Sequence, residues 1–150
     1  MKKFSIVILF FIGLLNHSLF AQPAVNSKGR VIDSAGNVWV GATKLGSITR
    51  DSIVKNAQGK KIAFVKSGGI LVNANGKTLG RMSKDGTTYY NYEGTPVFYV
   101  KDNSDNETCD ILDPKGKVIG NVHNNFKPMV CTLHCYSNKM NHKTHRKIQK

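Results

Sequence analysis

The signatures of catalysis are what this sequence lacks most plainly. It holds no Gly-x-Ser-x-Gly elbow to present a nucleophilic serine. Its glycines do not stand in the strand, loop and helix context that a phosphate cradle needs. Acidic residues are scarce, nine Asp and Glu against twenty-two Lys and Arg, a formal +13. Paired-carboxylate hydrolysis needs two acids in a defined context. Here Asp33, Asp85 and Asp113 fall in turn signals, and Asp102, Asp105, Glu107 and Asp110 crowd one polar stretch. That stretch offers oxygen ligands for calcium but lacks the glycine and distal Glu of an EF-hand loop, so it reads as a solvated loop. There is no proline-rich linker and no second long apolar run, which leaves room for one domain after the N-terminal segment.

Residues 1–21 have the layout of a secretory signal. Lys2 and Lys3 supply the charged start, Phe4 to Leu15 is almost wholly apolar, and Ala21 is a small residue before Gln22. The apolar run is shorter than the ~20 residues a bilayer span requires. The expected mature chain is therefore 22–150, exported to the periplasm or secreted, with no stable membrane anchor once the signal is cleaved. Without Lys2 and Lys3 it carries twenty basic and nine acidic residues, a formal +11; residues 126–150 hold six cations and no acid, a strongly basic tail on a mildly basic body.

The body is organised by a repeated phrase, an acid or amide, two variable residues and a glycine: Asp33 to Gly36, Asn56 to Gly59, Asn73 to Gly76, Asn91 to Gly94 and Asp113 to Gly116. Asp or Asn opening a type I turn can accept a hydrogen bond from the backbone two residues on, and the closing Gly adopts a positive φ without a Cβ penalty. Such a turn with a glycine bulge closes a β-hairpin. The glycines are 23, 17, 18 and 22 residues apart, and the positions five before, three after and six after each are all apolar or aromatic. Further turn signals fall at Ser27 to Gly29, around Leu45-Gly46, at Ser67 to Gly69, at Lys84 to Gly86 and at Lys101 to Asn106. The prediction is an all-β fold of ten or so strands in antiparallel meander, with essentially no helix after the signal helix. Closure is the economical way to remove two adhesive edges. Gly41, Ala63, Gly80 and Gly120 suggest a crowded axis, with Phe98 at the equivalent place in the fourth unit filling it or pointing elsewhere.

A signal peptide followed by five such hairpins resembles the five-fold β-flower family of small exported bacterial proteins, over roughly Lys28 to Asn125. The resemblance implies five hairpins closed around a pseudo-five-fold axis and an export route. It implies no catalytic residue, because that family comes without an established activity. Tandem Trp-Gly or Tyr-Asp repeats fit less well, since Trp39 is the sole tryptophan and no Tyr-Asp phrase recurs. On this reading 22–125 is the repeat domain, and 126–150 has no counterpart in the repeat.

That tail is chemically dense. Cys131 and Cys135, with His134 between them, precede His142 and His145. Thiols and imidazoles are what zinc takes tetrahedrally, although the spacing is not that of a known finger. Outside the cytoplasm thiols tend to oxidise, so a disulfide from Cys109 to Cys131 or Cys135, stapling the tail to the body, is expected ahead of a metal. In one extended strand Cys131 and Cys135 would be ~13 Å apart and could not pair with each other. The basic end, 142–150, suits phosphate or sulfate groups of a polyanion such as an envelope polysaccharide, without specific nucleic-acid recognition. His123 reads as an ordinary strand histidine. Tyr89, Tyr90, Tyr92 and Tyr99 cluster on the fourth hairpin; Tyr89 facing Phe98 or Tyr99 would be a cross-strand pair, and exposed rings would be a stacking surface. The expected function is a non-enzymatic binding or structural module of the envelope or extracellular space, without cofactor. The alternatives are a zinc-binding protein and a hydrolase of an envelope polymer.

Overall fold

The computed structural model describes residues 29–137, so the signal segment and the end of the tail, with His142 and His145, lie outside the described residues. Eleven strands run β1 (Arg30–Ile32), β2 (Asn37–Val40), β3 (Thr43–Ile48), β4 (Ile53–Asn56), β5 (Lys61–Lys66), β6 (Ile70–Asn73), β7 (Thr78–Met82), β8 (Thr88–Asn91), β9 (Pro96–Asp102), β10 (Thr108–Leu112) and β11 (Val118–His123). Each strand pairs antiparallel with the next, and β1 pairs with β11 to close the barrel. The fold is the predicted all-β closed meander. An odd number of alternating strands forces one parallel seam, and it is the β1–β11 pair, with Val31 opposite Asn121.

The five phrases build five near-identical turns. In each, the Asp or Asn Oδ1 accepts from the amide two residues on and again from the amide four on, as Asn73 does from Asn75 at 3.0 Å and Lys77 at 2.9 Å. The same pairs of bonds recur at Asp33, Asn56, Asn91 and Asp113. Every closing glycine sits at φ between 76° and 82°, where a Cβ is strained. In the hairpins β4–β5, β6–β7, β8–β9 and β10–β11 the register then slips by one, and the extra residue is Ile62, Leu79, Val97 or Ile119, the apolar residue three beyond the glycine. That bulge returns the fourth residue beyond the glycine, Ala63, Gly80, Phe98 or Gly120, to the buried side.

The first hairpin differs. Its two strands pair without a bulge, Ile32 against Val38, and these two enter the core, whereas Val31 is buried outside the core cluster. The predicted turn around Leu45-Gly46 is instead the middle of β3, and the turn lies at Gly41-Ala42. Gly41 is therefore a turn residue, φ 55°, with open space where a Cβ would go, and the crowded glycine of this unit is Gly46. The meander is thus five hairpins plus one further strand, β3, which pairs with β2 and β4 and lies between the first hairpin and the second. Because strands alternate in direction, that strand inverts the first hairpin: turn 33–36 lies at one end of the barrel, here the lower, and turns 56–59, 73–76, 91–94 and 113–116 lie at the upper.

The expectation of no helix is corrected. Asn124–Tyr136 forms a thirteen-residue 3₁₀ helix, and Phe126, Met129, Val130, Cys131, Thr132, Leu133, Cys135 and Tyr136 are buried. All but Thr132 share one core with inward side chains of the strands, so residues 124–136 plug the barrel. The reason is volume. About eight strands enclose a space that side chains alone can fill, and eleven enclose room for a helix. At ~2.0 Å per residue a 3₁₀ helix of this length runs ~26 Å, enough to thread the barrel from end to end. The plug enters at the lower end, where the Asn124 amide donates to the Glu107 carbonyl at 2.8 Å, with His123 as its N-cap accepting from the Asn125 amide at 3.2 Å. It leaves near the upper end, where Arg30 Nε donates to the Tyr136 carbonyl at 2.9 Å. Gly46 makes room for it: a Cβ there would meet the Lys55 carbonyl and approach Tyr136 Oη at 2.7 Å, while that hydroxyl donates to the Lys55 carbonyl at 2.7 Å.

Candidate functional site

The structure disperses the residues the sequence nominated. Cys131 and Cys135 face the barrel interior on the plug, and Cys109 lies buried on β10, its Sγ donating to the Val122 carbonyl at 3.5 Å. All three thiols are free, so no staple joins Cys109 to Cys131 or Cys135; hydrophobic packing and the plug's end contacts hold this segment instead. Nor can Cys131 and Cys135 bridge each other, because four residues of 3₁₀ helix advance ~8 Å, beyond disulfide reach. Burial pushes the thiols up, Cys109 to about 11 and Cys131 and Cys135 each to about 12. Protonated thiols are poor nucleophiles and poor metal ligands. Among the described residues no group of three or more His, Cys, Asp or Glu is placed to hold a metal. The zinc set Cys131, Cys135, His142 and His145 therefore has two members sealed in the core and two outside the described residues.

The tyrosines split in two. Tyr89 is fully buried and stacks on its cross-strand partner Phe98, ring centroids 4.9 Å apart at 18°, which removes it from any binding surface; Phe98 stands where other units have Ala63, Gly80 and Gly120. Gly80 accommodates Tyr89, since a Cβ there would lie 2.6 Å from Tyr89 Cζ. Tyr90 is half-buried, whereas Tyr99 and Tyr92 are exposed, Tyr92 at 65%. Lys77 Nζ stands 5.8 Å over the Tyr92 ring.

Six carboxylates, Asp33, Asp85, Asp102, Asp105, Asp110 and Asp113, are bonded into turns, the loop or its neighbours. Asp33 accepts from the Trp39 indole at 2.9 Å as well as from its own turn; burial raises its pKa, but these hydrogen bonds outweigh burial and hold it below the usual carboxylate range. In the polar loop Asp105 accepts from Glu107, Thr108 and the Thr108 hydroxyl, Asp102 pairs with Lys127 at 2.5 Å, and Asp110 accepts from Asn103 and Asn121. The loop's oxygens thus face its own amides and neighbours, which matches the solvated-loop reading better than a calcium site.

What the sequence did not indicate is an interior polar pair. Tyr89 Oη and His134 Nδ1 are both buried without a hydrogen-bond partner, and their rings are 5.3 Å apart. Burial raises the Tyr89 pKa, with the nearby Cys131 and Cys135 adding to it, and lowers that of His134, so both are neutral near pH 7. His134 also lines a cavity of about 60 Å³ beside the plug at the upper end, with Arg30, Val97, Phe98, Ile119 and Leu133. That volume has room for a few waters and lies far below the ~300 Å³ at which small-molecule sites begin.

No protein-family model matches the chain, and neither a curated protein nor a solved structure matches it. What fold and geometry define is a class, the self-filled β-barrel, whose interior is occupied by its own polypeptide.

Proposed function

We propose that this chain is an exported, non-enzymatic binding module of the envelope or extracellular space, working through the outside of its barrel on a partner of repeated negative charge. One observation carries the reading. The interior that would hold a ligand in an open barrel is occupied by residues 124–136, and a cavity beside them among the described residues holds about 60 Å³. The acids bonded into turns and loop, and the excess of cations, point the same way. The apolar N-terminal segment supports export.

The test is a melting-temperature screen of residues 22–150 against acidic polysaccharides, anionic lipid vesicles, zinc and calcium at two salt concentrations. A ligand present at a hundred times its Kd adds ~2.7 kcal/mol to the folded state. A shift with polyanions that fades in high salt is the expected result. A shift with zinc alone would replace this reading with the metal one, and no shift at all would leave a structural module.

A further inference from the structure

The inverted first hairpin and the alternation of the strands sort the barrel's charges by end. Toward the upper end lie Arg30, Lys44, Lys55, Lys60, Lys61, Lys77, Lys115 and Lys117, with Glu93 and Asp113 the acids, a formal +6. Toward the lower end lie six cations, Arg50, Lys66, Arg81, Lys84, Lys101 and Lys127, against seven acids, Asp33, Asp51, Asp85, Asp102, Asp105, Glu107 and Asp110, a formal −1. The ion pair found among the described residues, Lys127 with Asp102, is at the lower end.

The upper cations come from the turn repeat itself. The residue four beyond each opening Asn or Asp is Lys60, Lys77, Thr95 or Lys117 on the four upper turns, so three of four carry an exposed lysine. Turns two strands apart are ~10 Å apart around the rim. The result is a set of exposed cations repeated on the turns of one rim. The same rim exposes apolar groups: of the large hydrophobic side chains most open to solvent, Val40, Tyr92 and Val118 lie there, and Tyr99 lies mid-wall. The plug also ends at this rim, and after Ser137 the sequence adds Lys139, Lys143, Arg146, Lys147 and Lys150 with no acid.

We infer that the upper rim is a docking face for an anionic lipid surface. The inference rests on the proposed polyanion-binding function and names its surface and partner. Lysines repeated on the turns of one rim meet several headgroup phosphates at once on a flat bilayer, where each cation near the surface adds to attraction. Tyrosine and valine among those lysines can enter the interfacial layer, which a hydrated acidic polysaccharide does not offer. The residue four beyond the opening Asn or Asp of each upper turn closes the turn through its amide, so the turn does not require its side chain.

The experiment is co-sedimentation of residues 22–150, which contain the whole described fold, with vesicles of 30% phosphatidylglycerol in phosphatidylcholine. Parallel arms use pure phosphatidylcholine vesicles and soluble alginate. K60E/K77E/K117E brings the upper end from a formal +6 to 0, K66E/K84E/K101E replaces as many lower cations, and Y92A/V118S removes apolar groups without touching charge. Expected are binding to the anionic vesicles alone, at least a tenfold loss in the upper triple variant, less than threefold in the lower one, and a loss of severalfold in Y92A/V118S. Circular dichroism confirms that each variant folds; should the triple variant fail to, K77E and K117E singly give the same comparison. Equal losses from the two triple variants, or binding abolished by removal of 138–150 yet indifferent to the upper lysines, would overturn the rim. Binding to alginate and not to vesicles would overturn the lipid assignment while keeping the parent function. Binding to neither would remove the parent function itself.

Discussion

The wall and the plug of this barrel are stabilised by different kinds of information. Each hairpin of the wall is specified within about twenty residues: an Asp or Asn whose side chain closes the turn, a glycine at positive φ, and, in all but the first hairpin, an apolar bulge that sets which face turns inward. The plug has no repeat and no turn to direct it. Its burial depends on a closed wall whose inward side chains complete the core around it. Removing it should therefore cost more than any wound to a single hairpin. A chain ending at Asn125 loses Phe126, Met129, Val130, Leu133 and Tyr136 from the core, each a side chain whose burial contributes ~1.5–3 kcal/mol. Together that is ~10 kcal/mol, comparable to the whole stability of an ordinary domain. The expected outcome is a truncated chain without a cooperative melting transition or near-ultraviolet dichroism. A sharp transition in it would mean the wall closes on its own.

The same division explains what could be read from the sequence. The turn phrases were legible because Asx turns and positive-φ glycines are local chemistry; the partner of Tyr89 was narrowed to Phe98 or Tyr99, and the bulge at Val97 makes it Phe98. The first unit was misread because its spacing of 23 residues concealed a whole strand: Gly41 and Gly46 exchange roles, and only the three-dimensional pairing of Val38 with Gly46 shows which one faces inward. The plug did carry a signal. Phe126, Met129, Val130, Leu133 and Tyr136 recur at three to four residues, the period of a helix, yet Cys131, Cys135 and the basic residues beyond drew the segment toward metal and polyanion chemistry. The candidate zinc thiols were visible as residue types, but their burial was not, because burial of a helix inside a barrel is a property of the wall around it. The charge sorting between the two ends depends on strand parity, which one uncounted strand inverts.

A smaller perturbation compares wall and plug through one residue type. Gly76 lies at φ 82° with open space beside it, so G76A meets only backbone strain, ~1–2 kcal/mol. Gly46 is instead closed by the Lys55 carbonyl and by Tyr136 of the plug, so G46A forces wall and plug apart, a form of overpacking that costs ~1–3 kcal/mol or more. Urea denaturation of the two variants should rank G46A as the less stable. G46A should also raise the alkylation rate of Cys131 and Cys135 in the native protein, which G76A should leave unchanged. The opposite ranking would mean that the turn glycines, and not the contact between wall and plug, limit stability.

The smallest effect is expected where wall and plug meet without a bond. Tyr89 of the wall and His134 of the plug place two neutral polar atoms in the core with no partner. Burial holds the His134 pKa below its ordinary value, so on acidification the unfolded chain takes up this proton first, near the usual pKa of ~6.5. The sign follows: wherever the unfolded state binds more protons, stability rises with pH, so this group's contribution is complete above ~6.5 and declines as pH falls below it toward the folded value. H134F should flatten the stability profile between pH 7 and 5, measured by urea titration at each pH, and leave it unchanged at pH 8 and above apart from a constant offset. Y89F, which removes an unpartnered hydroxyl while keeping the stack on Phe98, should be neutral or stabilising by ~1 kcal/mol at every pH, because an unsatisfied buried donor costs about that much. If Y89F instead destabilises, the hydroxyl has a partner, and an internal water linking it to His134 Nδ1 becomes the natural candidate; H134F and Y89F would then be non-additive, as two changes to one bridge must be.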